Sequence, residues 1–189
     1  MRELYRLTIP DSSGLAGQAT GPLTGSIAIE RYVSPGLYGD ASLVYRVDEN
    51  AYGAYPSREW AIPLADQLGM LTESQLRRRP LSSGAVIFRP PSPRAHAYLW
   101  RGTVRQFEEV NRGSQVFASV HLDAMLVRTG DDSVMWTGSA RAERAVATPT
   151  MAAIVATLST LAASVVSELV DDASRTVAAR PAAAAVRAP

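Results

Sequence analysis

The sequence predicts an α+β fold in which a mostly antiparallel or mixed β-sheet carries two α-helices packed on one face. Three observations predict it. Val116, Ala118, Val120, Leu122, Ala124 and Leu126 alternate without a break, the period-two signature of a half-buried strand. Two stretches, residues 60–79 and 148–170, carry apolar side chains at helical spacing. The first third instead holds short β-branched and aromatic runs cut by Gly, Pro and Ser.

Taken in order, Glu3 to Ile9 reads as a short strand stopped by Pro10, and Asp11 to Gly25 as a loop rich in Ser, Gly and Thr. Ser26 to Val33 is a strand ended by Ser34-Pro35-Gly36, Leu43 to Val47 a second, and Asn50 to Tyr55 a third candidate. Together these predict a meander with tight turns. A helix is expected from Trp60 to Arg79, with Trp60, Leu64, Leu68 and Leu71 on one stripe, Ser57 as N-cap and Pro63 tolerated in the first turn. Val86 to Phe88 is a brief strand before the Pro-rich connection Pro90 to Pro93. Ala97 to Val110 and Ser114 to Val127 form a hairpin turned at Asn111-Arg112-Gly113. Thr129-Gly130-Asp131-Asp132 then turns into a strand from Ser133 to Ala142. The last helix opens at Thr148 with Pro149 in its first position, and its stripe is Ile154, Leu158, Leu161, Val165 and Leu169. Residues 1–179 read as one domain and 180–189 as a flexible Ala/Pro/Arg-rich tail.

Composition removes whole classes of chemistry. Every basic side chain is arginine, so no lysine exists to form a Schiff base or to serve a phosphate-binding loop. No cysteine exists for a thiol nucleophile, a thiolate metal site or a disulfide. The formal net charge is +1, which offers nucleic acid no basic stripe. The one basic run, Arg77 to Arg79, closes a helix, where cations suit the dipole. Ala152 to Val170 is apolar but interrupted by hydroxyls and Glu168, so a core-packed helix is expected there instead of a membrane span.

Catalytic signals are weak, and we expect no enzyme, no metal and no cofactor. His121 and Asp123 share a strand face, yet a serine nucleophile would have to come from elsewhere and no Gly-x-Ser-x-Gly elbow exists. Glu108 and Glu109 are adjacent on a strand, so they point to opposite faces and cannot converge on one substrate. What remains is aromatic surface. Tyr32, Tyr38, Tyr45, Tyr52, Tyr55 and Trp60 cluster in the first third, and Tyr and Trp are favoured at binding hot spots. Some of the six must be core.

The run Ser34-Pro35-Gly36-Leu37-Tyr38-Gly39-Asp40, followed by Leu43-Val44-Tyr45-Arg46, resembles the ABC-type transport auxiliary lipoprotein family. The opening Trp60-Ala61-x-Pro63-Leu64, the strand ending Phe107-Glu108, Val120-x-Leu122-x-Ala124 and the Ala156-x-Leu158-Ser159-x-Leu161 helix are similar to it as well, over residues 3–170. The resemblance implies a non-catalytic periplasmic accessory subunit of lipid transporters built on a mammalian-cell-entry-domain protein, a permease and an ATPase. It further implies an outer-membrane anchor through an acylated cysteine upstream of this chain, and a homo-oligomer. On this reading Pro35, Leu37, Tyr38, Asp40, Tyr52, Tyr55 and Trp60 are the expected contacts with the transporter or with another copy. The alternatives are a lipid carrier with its own apolar cleft, or a general envelope assembly protein.

Overall fold

The computed structural model describes residues 1–11, 21–48 and 50–179, so most of the expected Ser/Gly/Thr-rich loop and the Ala/Pro/Arg-rich tail lie outside the described residues. The elements are β1 (Glu3–Tyr5), β2 (Ile27–Ile29), β3 (Ser42–Arg46), β4 (Tyr52–Trp60), α1 (Leu64–Arg78), β5 (Val86–Phe88), β6 (Tyr98–Arg112), β7 (Gln115–Arg128), β8 (Val134–Ala145) and α2 (Met151–Ala178). One mixed sheet of eight strands carries both helices. The expected α+β architecture is the observed one.

The C-terminal half follows the sequence closely. β6, β7 and β8 are consecutive antiparallel strands, and Gly113 turns the first hairpin at φ +61, a conformation that costs glycine nothing. The second turn holds Asp132 at φ +54, and the Asp131 carboxylate accepts from the backbone N–H and the hydroxyl of Ser133. α2 lies across β7 and β8, burying Ile154, Leu158, Leu161, Val165 and Leu169 as expected. Its cap is Thr150 and not Thr148: the Thr150 hydroxyl accepts from the Ala153 N–H at 3.2 Å. By length and composition α2 could cross a bilayer, contrary to the expectation from its interruptions. Its position is that of a core helix, with the Trp136 indole N–H donating to Asp172 at 2.8 Å.

The N-terminal half departs from the expected meander. β2 runs parallel to both β6 and β5, β3 parallel to β6, and β1 parallel to β4. Only β3 and β4 form an antiparallel pair. The long strand β6 is therefore flanked on one side by two short branches, β2–β5 at its start and β3–β4–β1 at its end. The helix expected from Trp60 begins at Leu64. β4 continues through Ser57 to Trp60, and Pro63 takes the N-cap position without any side-chain cap. Pro63 disfavours helix at Ile62 before it. Trp60 is held as strand by its pairing with Tyr5 of β1 and by its N–H donating to the Ala41 carbonyl at 2.7 Å, so the strand wins over the helical stripe. Arg77 and Arg78 lie in the last turn of α1 and Arg79 follows it, where cations suit the dipole. Their side chains reach elsewhere: Arg77 pairs with Glu73 at 2.8 Å, Arg78 donates to the Asp11 carbonyl at 2.7 Å, and Arg79 reaches Asp171 on α2.

A bulge at Arg105 interrupts the β6–β7 ladder between Val104 and Gln106. It changes which residues of β6 face the helices. Trp100 and Val104 do so before it, Phe107 and Glu109 after it. Trp100 stacks on Trp136 with centroids 5.3 Å apart, and Phe107 meets Trp60 edge-on at 5.7 Å. The opposite face has its own small apolar cluster, Ala28, Leu99 and Val127.

Candidate functional site

Glu108 and Glu109 organise the region where the sequence places its binding residues. As expected, these neighbours point to opposite faces of the sheet, but both are buried. Each is a polar anchor for part of the N-terminal half.

On the face away from the helices, Glu108 is fully buried opposite Val44 and Ser119. Arg46 of β3 places its Nε 2.9 Å from Glu108 Oε1, although its N–H is not aimed along that line, so the contact is electrostatic more than a hydrogen bond. The hydroxyl of Tyr38 donates to the other oxygen, Oε2. Tyr38 lies in a single 3-10 turn, Gly36–Gly39, that packs against β3 and β6. Gly36 starts that turn at φ +59, where glycine is at ease. Burial, then the bond to Glu108 and its charge, push the Tyr38 hydroxyl pKa upward, so the ring stays neutral and the turn stays tethered. Tyr52 closes the group: its ring lies 5.9 Å from the Arg46 guanidinium.

On the helix face, the Tyr55 hydroxyl donates to Glu109 Oε2 at 2.8 Å and Asn111 Nδ2 donates to Oε1 at 2.9 Å. Burial, followed by the bond to Glu109, raises the Tyr55 pKa as well. The Tyr45 and Tyr55 rings meet at 4.8 Å, and Arg58 lies over the Tyr55 ring at 4.8 Å. At Gly53, opposite Tyr45, a Cβ would sit 2.3 Å from the Tyr45 ring, so a larger residue there would push that ring aside.

The seven expected contact residues therefore divide. Leu37, Tyr52, Pro35 and Asp40 are exposed, and Val33 adds a further exposed apolar side chain beside them. Tyr38 and Tyr55 present part of a ring while their hydroxyls hold the fold. Trp60 is 7% exposed and belongs to the core with Phe107. Glu108 and Arg46 were missed as members of this group. Arg46 between Tyr45 and Val47, and Glu108 directly after Phe107, were the available signal, but nothing local shows that they meet.

His121 and Asp123 share a face as expected, in an open recess of about 650 Å³ on β6–β8. Ser139 joins them, with its hydroxyl 2.8 Å from His121 Nε2. Asp123 approaches that same nitrogen at 3.7 Å, so the three do not form the nucleophile–base–orienter line in which the carboxylate holds the opposite nitrogen. Burial tends to raise the Asp123 pKa, and the hydrogen bonds from Ser139 and Arg105 outweigh it and hold it below the ordinary carboxylate value. No group of three His, Cys, Asp or Glu among the described residues could hold a metal.

Comparison with known proteins matches these elements to a family. The sequence model of the ABC-type transport auxiliary lipoprotein component covers residues 5–170. The chain belongs to that family. A solved protein from Xanthomonas campestris shares the fold of this auxiliary lipoprotein at TM-score 0.74, with 20% identity over 92% of this chain and 95% of the other. The PelC dodecamer of Paraburkholderia phytofirmans superposes at TM-score 0.54, with 12% identity over 87% and 94%. A hypothetical protein of Chlamydia trachomatis gives 0.55, with 9% identity over 86% and 100%. No curated protein matches the chain. The family is an auxiliary transport component and not a known enzyme family.

Proposed function

We propose that this auxiliary lipoprotein is a non-catalytic accessory subunit that binds the periplasmic, mammalian-cell-entry-domain protein of an ABC lipid transporter. Residues 1–179 act as one domain, tethered to the outer membrane by an acylated cysteine upstream, and a second copy of the chain is a further partner. Family membership supports the transport role. The observation that carries the binding site is the tethered turn Gly36–Gly39. Tyr38 is fastened to buried Glu108, so Pro35, Leu37 and Asp40 are held in one arrangement beside exposed Tyr52 and Val33. A preordered apolar loop loses little entropy on docking.

The carrier alternative needs a cleft, and the apolar seam between α2 and the sheet, lined by Leu43, Trp60, Phe107, Ile154 and Leu158, leaves no room for a water molecule. Affinity capture of the full-length protein from gently solubilised envelopes, with mass spectrometry of what is retained, tests the proposal. Recovery of a mammalian-cell-entry-domain protein with its permease and ATPase supports it. Phospholipid alone would move the reading to a carrier. Leu37→Ala combined with Tyr52→Ala should lower retention by about 2 kcal/mol per side chain or less without unfolding the protein. Undiminished capture by that variant would remove the loop from the interface.

A further inference from the structure

We infer that the free edge of β8 is a self-association surface, where a second copy of this chain adds its own β8 antiparallel about a two-fold axis at Ala142. β8 is a twelve-residue strand whose one side pairs with β7 and whose other side pairs with no described strand. The other two edges of the sheet, β1 and β5, are three residues each. A long open edge is a template for another strand.

The backbone directions follow from one bond. The Val146 N–H donates to the Val116 carbonyl, and the β7–β8 register is regular from Phe117↔Ala145 to Leu126↔Trp136. Residues of an antiparallel strand alternate in which neighbour they bond. Ala142 and Ala140 therefore bond β7, while Ala145, Glu143, Arg141, Ser139 and Thr137 turn their N–H and C=O groups to the open edge.

Charge then selects the register. Centred on Ala142, Arg141 lies directly opposite Glu143 of the second copy, twice by symmetry, and Ser139 opposite Ala145. Moving the centre by one residue sets Arg141 against Arg141 or Glu143 against Glu143, which is repulsive. Among the described residues the Arg141 side chain makes no hydrogen bond or ion pair, and it is exposed. Glu143 already accepts two bonds from Arg112, at 2.6 and 2.8 Å, and a carboxylate has capacity for more. The small side chains Ser139, Ala140, Ala142 and Ala145 let the strands approach. This inference stands on β8 alone and survives failure of the transporter reading.

The chain has no cysteine, so single-cysteine variants report the pairing directly. At the two-fold, Ala142 faces Ala142 in a non-hydrogen-bonded pair with Cα atoms about 4.5 Å apart, inside the disulfide range of about 4.4–6.8 Å. Mild oxidation should convert Ala142→Cys, but not Ser139→Cys, to a covalent dimer. By sedimentation the unmodified protein should rise with concentration from 20.2 kDa toward twice that mass. Arg141→Glu should weaken the association about tenfold or more, and Arg141→Glu with Glu143→Arg should restore it. A chain monomeric at every concentration overturns the inference. So does crosslinking at Ser139→Cys in place of Ala142→Cys, or an assembly indifferent to Arg141→Glu.

Discussion

The two halves of the sheet are held together differently. β6, β7, β8 and α2 follow one another in sequence, and their contacts are apolar layers and a continuous antiparallel ladder. β1, β2, β3 and β5 are short, and β1 to β5 pair mostly in parallel. β2 and β3 meet β6 over only three residues each, and separate polar links add to the apolar packing that joins this half to β6 and α1. Tyr38 and Arg46 reach Glu108, Tyr55 reaches Glu109, Tyr32 meets Thr72 at 2.8 Å, and the Leu7 N–H donates to Gln67 at 2.6 Å. Short parallel strands bring few ladder bonds of their own, so side-chain anchors carry more of their placement. An apolar layer tolerates partial loss, whereas a buried polar anchor that loses one partner leaves an uncompensated group.

That contrast is broken most directly at Glu108. Glu108→Ala should cost about 3–5 kcal/mol, because Arg46 is left with a buried charge and Tyr38 without its acceptor. A urea melt measures the loss, and hydrogen exchange should rise in β3 and the Gly36–Gly39 turn more than in β7. Uniform exchange across both halves would contradict the comparison.

Tyr38→Phe is milder, about 1–3 kcal/mol, since it removes only the hydroxyl and leaves Glu108 Oε2 unmet. This variant also sharpens a pH argument. The folded-state pKa values of Tyr38 and Tyr55 are raised above the ordinary 10.0, so the unfolded chain ionises first as pH rises. Their stabilisation is fully present below pH 10 and is lost progressively above it. Tyr38→Phe should flatten part of that alkaline decline, leaving the share of Tyr55, and an unchanged decline would show that the Tyr38 hydroxyl is not tethered as described.

In the C-terminal half, Gly113→Ala should cost about 1–2 kcal/mol through the left-handed turn alone, because a Cβ there meets no neighbouring atom. Folding of the hairpin should slow without exposing β3. The smallest effect is expected at Leu37→Ala, within about 0.5 kcal/mol of stability, and thermal melting checks it. A larger loss would mean that the turn is core and not docking surface.

Legibility in the sequence follows the same division. The alternation of Val116 to Leu126, the Gly113 turn, the short strand at Val86 to Phe88 and the stripe of α2 were all readable, because period and turn chemistry are local. The parallel pairings of β2 and β3 with β6 were not, since partners far apart in sequence leave no periodic mark. Of the site, Leu37 and Tyr52 were legible as aromatic and apolar residues near turns, while Trp60 was misplaced because its spacing also fits a helical stripe.

By itself the sequence determined the mixed sheet with two helices, the exclusion of lysine and thiol chemistry, and the family pattern, all of which reside in residue identity and local spacing. The tertiary structure alone decided that a bulge at Arg105 turns Phe107 to the core, that Glu108 and Glu109 become opposed buried anchors, and that β8 is left as the long open edge. Those outcomes depend on which distant strands flank β6, and the free energy of such pairings comes from burial and polar satisfaction that exist only once the chain has closed.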